Sequence, residues 1–309
     1  MTAPNPALKL GTRGSPLALA QAYETRSLLA AAHGLNLDSF EIVVIKTSGD
    51  MIQDRSLMEA GGKGLFTKEL DDALLSGNID LAVHSAKDMP TLMPDGIEIS
   101  GYLPREDARD VFISSKFDSL MALPQGARLG SASLRRQAQA LKLRPDLQPA
   151  LLRGNVETRL KKIETGLCDC TFLALAGLKR LGLAHHATQV LDMVDFLPAV
   201  GQGAIALTAR TQDKTVSHLI SPILHAETTA ALTCERAFLQ VLDGSCRTPI
   251  AGYGHIHAGR LQFRGEVYSV DGKQTYDVAF IGLPENAARI GEDAGRELLK
   301  RAPQDFLQR

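Results

Sequence analysis

Short apolar runs bounded by turn residues recur along the first two hundred positions, and most are followed by a stretch with helical periodicity. That alternation predicts α/β architecture. Residues 7–10 form a short strand; Ser15 then caps a helix with Pro16 at its first position, and Gly34 stops it. The run FEIVVIK at 40–46 is rich in β-branched residues, as a buried strand should be. Residues 66–76 predict a helix closed by Gly77, and 79–83 another strand. Between them, 48–64 has no clear period and holds three glycines near its end, which predicts a mobile lid.

The alternation restarts at Asp110. Strands are expected at 111–114, 128–130, 149–152 and 169–174, with helices at 134–142 and 156–165. Leu10-Gly11-Thr12 before one helix is echoed by Leu129-Gly130-Ser131 before another, which suggests two related lobes. The segment Pro198-Ala199-Val200-Gly201-Gln202-Gly203 breaks the pattern before a strand at 204–209, as a crossover between lobes would. After a helix at 227–242, the runs 250–257, 260–269 and 274–281 predict an antiparallel meander with a turn at Asp271-Gly272, then a helix at 285–299. The expected fold is α/β: two lobes facing a cleft, plus a small C-terminal α+β domain. Its boundaries are 1–104 with 199–222 for domain 1, 105–198 for domain 2 and 223–309 for domain 3, with hinges near Pro104 and Pro198.

Composition narrows the function. A chain of 309 residues with 44% hydrophobic content can bury a sizeable core. It has no 18-residue apolar run, and its first residues lack a basic, apolar leader, so a soluble cytoplasmic protein is expected. Four cysteines are too few for a disulfide framework, and their spacing completes no zinc set, so no metal is expected. The net charge of −1 argues against diffuse basicity for nucleic acid.

Arginine is nonetheless concentrated in turns. Thr12-Arg13-Gly14-Ser15, Ser131-Ala132-Ser133-Leu134-Arg135-Arg136, Arg153-Gly154-Asn155 with Arg159, and Lys179-Arg180 each follow a strand-like run and adjoin a helix. Such turns combine free N–H groups, hydroxyls and a positive helix end, and the guanidinium fork grips carboxylates. Exposed helix surface is the ordinary fate of any one such arginine. Their recurrence in both lobes points to a pocket for a small polyanion.

Two segments carry candidate chemistry. In Asp80-Leu81-Ala82-Val83-His84-Ser85-Ala86-Lys87-Asp88-Met89-Pro90 an apolar strand ends in a polar cluster, and Pro90 bars helix at Met89. Asp88 there can stabilise a cation or shuttle a proton, and Lys87 can bind an anion; alternatively Lys87-Asp88 is a solvated turn and His84 a core histidine. Cys246, in Asp243-Gly244-Ser245-Cys246-Arg247-Thr248-Pro249, is either an accessible thiol activated by Arg247 or a small packing residue. Cys234 falls in a helix pattern and reads as core.

Together these segments resemble the porphobilinogen deaminase (hydroxymethylbilane synthase) family. The match is carried by TRGSPLA (12–18), GGKGLFTKEL (61–70), DLAVHSAKDMP (80–90), GSASLRRQAQ (130–139), LRGNVETRL (152–160), LALAGLKRLG (173–182), PAVGQGA (198–204) and GSCRTP (244–249), in the family's order. The resemblance implies two lobes like those of periplasmic binding proteins and a third, cysteine-bearing domain. It implies a monomeric transferase that joins four porphobilinogen molecules with loss of ammonia, on a dipyrromethane cofactor held by a thioether at Cys246. Asp88 matches the catalytic aspartate. By position, Lys87, Ser131, Ser133, Arg135 and Arg136 join Asp88 around the cofactor, while Arg13, Ser15, Lys63, Ser85, Arg153, Arg159, Arg180 and Gln202 face substrate. Each porphobilinogen carries an acetate and a propionate, which agrees with the arginine-rich turns. Glu59 and Ala132 depart from the lysine and serine common in the family. A two-lobed binding protein for an organic anion, or a thiol enzyme turning over on Cys246, are the competing readings.

Overall fold

The computed structural model of the chain describes residues 8–51, 66–242, 249–303 and 306. The first lobe opens with β1 (Leu8–Arg13), α1 (Pro16–His33), β2 (Phe40–Ile45) and the single turn α2 (Ser48–Met51), followed by α3 (Lys68–Leu75), β3 (Leu81–Ser85) and β4 (Ile97–Tyr102). The Ser15 hydroxyl accepts the Ala18 N–H and Gly34 closes α1 at φ 62°, the left-handed conformation that favours glycine. β1 runs further than the sequence pattern suggested: its parallel ladder with β2 continues to Arg13, so Thr12 and Arg13 belong to the strand and not to the turn. β2 is half-buried, not buried, because it is the edge strand of its sheet. β4 went unpredicted; it alternates polar Glu98 and Ser100 with apolar neighbours and ends in Gly101 and Tyr102.

The second lobe comprises β5 (Asp110–Ile113), β6 (Arg128–Gly130), α4 (Leu134–Leu143), β7 (Gln148–Ala150), α5 (Val156–Glu164), β8 (Cys170–Ala174), α6 (Leu175–Arg180) and β9 (Gln189–Val190). The chain then returns to the first lobe with β10 (Ile205–Arg210) and α7 (Lys214–Ile220). The third unit is α8 (Ala226–Val241), the strands β11 (Ile250–His257), β12 (Arg260–Tyr268) and β13 (Thr275–Gly282), and α9 (Ala287–Arg301).

The two lobes follow one plan. Their sheets have strand orders β2-β1-β3-β10-β4 and β7-β6-β8-β5-β9. In each, the first three strands are parallel, and the fourth runs against its neighbours on both sides. That antiparallel strand is in each case the one that follows a crossing between lobes, β10 in the first and β5 in the second. The Leu-Gly echo falls on equivalent strands, β1 and β6. In the third domain α8 and α9 cover the β11-β12-β13 meander, with Phe238 meeting Phe263 edge-on at 5.0 Å. Burying a ring such as Phe238 contributes roughly 1.5–3 kcal/mol.

The crossings at 103–109 and 197–204 are both held by Glu235 of α8. Its buried carboxylate accepts the Gly201 N–H at 2.7 Å and the Gly254 N–H at 2.8 Å, and pairs with the Arg105 guanidinium. Arg105 Nε in turn donates to the Gln202 carbonyl at 2.9 Å. A buried carboxylate is tolerated where donors satisfy it this fully.

Candidate active site between the lobes

The carboxyl ends of β1, β3, β6 and β8 converge on a cavity of about 790 Å³, the usual ligand position in an open α/β sheet. β3 ends at Ser85 and the chain makes one tight turn over Ala86–Asp88, after which Met89 is extended ahead of Pro90. Ala86 and Met89 are buried, which leaves Lys87 and Asp88 directed at the cavity. The Asp88 carboxylate lies 3.9 Å from the Arg13 guanidinium, which stacks over the Phe66 ring at 4.1 Å. Beside them, Ser85 Oγ sits 2.9 Å from Nε2 and 3.1 Å from Oε1 of the buried Gln21. Ser15 completes this end of the wall.

His84 is buried and lines a small recess beside Arg13, Ser15 and Asp88 at this end of the wall. Its Nε2 lies 3.1 Å from Thr208 Oγ1, and burial together with the Arg13 charge pushes it down to about 4. It is a neutral core histidine.

The opposite wall is cationic: Arg136, Arg153, Arg159, Lys162 and Arg180 of the second lobe face Arg13, Lys46 and Lys87 of the first. Lys87 opens to the cleft yet has protein around it, and desolvation followed by the nearby Arg136 charge pushes its ammonium down to about 8. Arg159 is pushed down to about 10 by desolvation and by Arg136 and Arg153. Cations crowded until they lose basicity gain from an anionic occupant. A ligand with several carboxylates fits this donor set, and α5, capped by Asn155 Oδ1 on the Thr158 N–H at 2.8 Å, adds its positive end to the wall.

Several expected site residues are committed to the protein. Asp110, fully buried at the start of β5, takes Arg135 Nη2 at 2.8 Å and Arg136 Nη2 at 2.7 Å. Burial alone would raise the Asp110 carboxyl, but the two guanidinium charges outweigh it and hold it below its ordinary value. Arg136 still lines the cavity; Arg135 does not, and its Nη1 donates to the Leu197 carbonyl at 2.6 Å. Ser131 Oγ accepts the Ser133 N–H at 3.1 Å, and Ser133 Oγ accepts the Arg136 N–H at 3.4 Å, so these hydroxyls shape the start of α4 while Ala132 meets the cavity. Gln202 is buried in the second crossing and donates to the Ala108 carbonyl at 2.7 Å. Arg159 Nε donates to the Gly154 carbonyl at 2.7 Å, and Arg180 Nε to Glu24 at 2.9 Å, yet both remain on the cavity wall.

Lys63, Glu59, Cys246 and all but the first residues of the expected lid lie outside the described residues. The sequence reading missed Gln21, Phe66 and Lys162 on the wall, and Asp110 and Glu235 behind it. An acid heading the apolar strand DVFI was the one available signal for Asp110. The described cysteines, Cys168, Cys170 and Cys234, are buried, and burial pushes their thiols up, that of Cys170 to about 12. They are unsuited to nucleophilic work.

Comparison with known proteins agrees along nearly the whole chain. Residues 8–218 match the family model "Porphobilinogen deaminase, dipyromethane cofactor binding domain", and 229–300 match "Porphobilinogen deaminase, C-terminal domain". The chain is 55% identical over 298 residues to the porphobilinogen deaminase of Nitrobacter winogradskyi, covering 96% of this chain and 94% of that protein. It is 54% identical over 298 residues to the enzyme of Nitrobacter hamburgensis, with the same coverage of 96% and 94%. Among solved structures, a periplasmic substrate-binding protein of an ABC transporter from Coxiella burnetii is similar at 15% identity and a TM-score of 0.44, over 70% of this chain and 91% of that one.

Proposed function

The chain belongs to the porphobilinogen deaminase family, and on that premise we propose how its own residues divide the work. It is a transferase of tetrapyrrole and heme biosynthesis that joins four porphobilinogen molecules head to tail, releasing ammonia, to give hydroxymethylbilane on a dipyrromethane primer. When bound, the dipyrromethane supplies the free pyrrole carbon that starts the chain. Cys246 is the residue assigned to hold it through a thioether, on the strength of the GSCRTP motif.

Asp88 is assigned the central role. The observation that carries this is a carboxylate at the carboxyl end of β3, facing a cavity whose other charged groups are nearly all cations. Substrate carboxylates take up those cations, and the ring that must become positive is left for Asp88. Its carboxylate accepts pyrrole N–H groups and stabilises the azafulvene cation as the C–N bond breaks and the electron pair leaves with ammonia. The amine is protonated while still attached, so neutral ammonia leaves with the C–N electron pair, and Asp88 is placed to steer that proton.

Arg13, Ser15, Lys63, Ser85, Arg153, Arg159 and Arg180 are assigned to incoming and growing rings. Arg136 is assigned to the primer's carboxylates, and Lys87 both to those of the primer and to those of the porphobilinogen being joined to it. Arg135, Ser131, Ser133 and Gln202 serve the same site from behind, by fixing α4 and the second crossing. The domain division 1–104 with 199–222, 105–198 and 223–309 follows the two crossings and the start of the third domain. No helix among the described residues is long and apolar enough to cross a membrane. A monomer in the cytoplasm is the reading we adopt, supported by the buried free thiols, which suit a reducing compartment.

Native mass spectrometry after limiting porphobilinogen tests the assignment. The purified protein should exceed its sequence mass by one dipyrromethane, located on the Cys246 peptide and absent from Cys246→Ala. Added substrate should then build a ladder of one to four further rings. Reversible binding without a ladder would instead favour the anion-binding protein, and an unmodified, active Cys246 the thiol enzyme.

A further inference from the structure

One face of α8 sits behind the Asp88 turn. Leu232, fully buried, packs in one cluster with Ala86, Met89 and Tyr102, and so holds the two apolar residues that bracket Lys87 and Asp88. One helical turn on, Arg236 Nη2 donates to the Pro90 carbonyl at 2.9 Å and to the Thr91 carbonyl at 3.0 Å. Between them, Glu235 fixes the Gly201 N–H, and Gly201 touches the turn itself: a Cβ there would lie 2.9 Å from the Ala86 carbonyl carbon and the Lys87 nitrogen. Three neighbouring residues of one helix thus bound the segment that presents Asp88.

Arg236 is the unexpected member. Its guanidinium is largely buried, and desolvation holds it below its ordinary basicity. Among the described residues it makes no ion pair. Burying a charge to satisfy two carbonyls is costly, and an apolar side chain would fill the space at lower cost. The geometry therefore asks for a role beyond packing.

We propose that Arg236 is a positioning residue for Asp88: by gripping Pro90 and Thr91 it sets the place at which the Asp88 carboxylate meets the reacting pyrrole. The proposal rests on the reading of Asp88 as the group that acts on the reaction.

A misplacement of about 1 Å at a reacting group costs on the order of a hundredfold in rate. Arg236→Met should therefore lower kcat for ammonia release by about ten- to a hundredfold, with KM within about threefold of wild type. Its primer mass and thermal midpoint should stay close to wild type. Arg236→Lys, which keeps a charged donor, should recover part of the loss. Should the Met variant fail to accumulate, the Lys variant decides, with a kcat reduction of about threefold or more expected.

The double variant Asp88→Asn/Arg236→Met separates the two ideas. If Arg236 acts through Asp88, the double variant is no slower than Asp88→Asn alone. A kcat within about twofold of wild type for the folded Met variant, or for Lys where Met does not fold, overturns the proposal; so does a full additional loss on the Asp88→Asn background, or a drop explained by missing primer mass. Near-normal turnover by Asp88→Asn alone would instead remove the reading on which the proposal stands.

Discussion

Arg180, the last residue of α6 in the second lobe, donates its Nε–H to the Glu24 carboxylate on α1 of the first lobe at 2.9 Å. The pair ties the two walls of the cleft together at the rim of a cavity that must admit a lengthening polyanion. Glu24 is partly exposed, so the pair contributes no more than about 1 kcal/mol to stability. Its effect on elongation should be larger, because Arg180 cannot serve a substrate carboxylate fully while Glu24 holds it. Glu24→Gln should leave thermal unfolding nearly unchanged and shift the native mass ladder at limiting porphobilinogen towards three and four added rings. An unchanged ladder would mean that the pair offers no resistance to opening.

Asp88→Asn keeps the size and hydrogen-bonding shape of the side chain but removes its charge. Cation stabilisation depends on that charge, so turnover should fall at least about a hundredfold, the scale of losing one strong electrostatic element. Circular dichroism and the thermal midpoint should be close to wild type, since Asp88 is exposed in the cleft. Wild-type turnover would move the chemistry to another group.

Lys87 makes substrate affinity depend on pH. With its ammonium pushed down to about 8, it is cationic at pH 7 and increasingly neutral above 8. Attraction for a carboxylate is present below that value and lost above it, so KM for porphobilinogen should rise between pH 7 and pH 9. Lys87→Arg keeps its charge across this range and should flatten the rise. The same shift affects folding in the opposite sense. Unfolded lysine holds its proton up to about 10.5, so between pH 8 and 10.5 the unfolded chain binds more protons and this residue's contribution to stability increases with pH. Equal KM profiles for wild type and Lys87→Arg would show that another group titrates.

Asp110 is the counter-ion of two buried guanidiniums, and its loss should be felt in folding before it is felt in catalysis. Asp110→Asn leaves Arg135 and Arg136 without their shared charge, which should cost about 3–5 kcal/mol in urea unfolding. The stability that Asp110 adds is present above the usual carboxylate range and lost as pH falls through its depressed folded value. Wild type should therefore lose more stability than Asp110→Asn on acidification from pH 5 to pH 2. A destabilisation below about 1 kcal/mol would mean that water replaces the carboxylate at this site.

Much of the frame was legible because its signals are local. β-Branched runs marked the strands, Ser15-Pro16 and Gly34 bracketed α1, and Pro90 kept the Asp88 turn from becoming helix. These depend on backbone sterics and on hydrogen bonds a few residues apart; Asp88, Arg13 and Lys87 line the cavity at the ends of strands marked in this way. β4 escaped because its apolar pattern is weak; pairing with β10, from the far side of the second lobe, makes it a strand.

The sequence by itself determined where cations accumulate, and only the tertiary structure decided which of them are free to meet a ligand. Arg135 and Arg136 are equivalent in a motif, but the turn of α4 aims one at the Leu197 carbonyl and leaves the other on the cavity wall, with Asp110 between them. Arg105 and Glu235 are 130 residues apart, and Arg236 and Pro90 are 146 apart. Partnerships over such separations depend on how three domains pack, because a buried charge must find its partner wherever the fold places one.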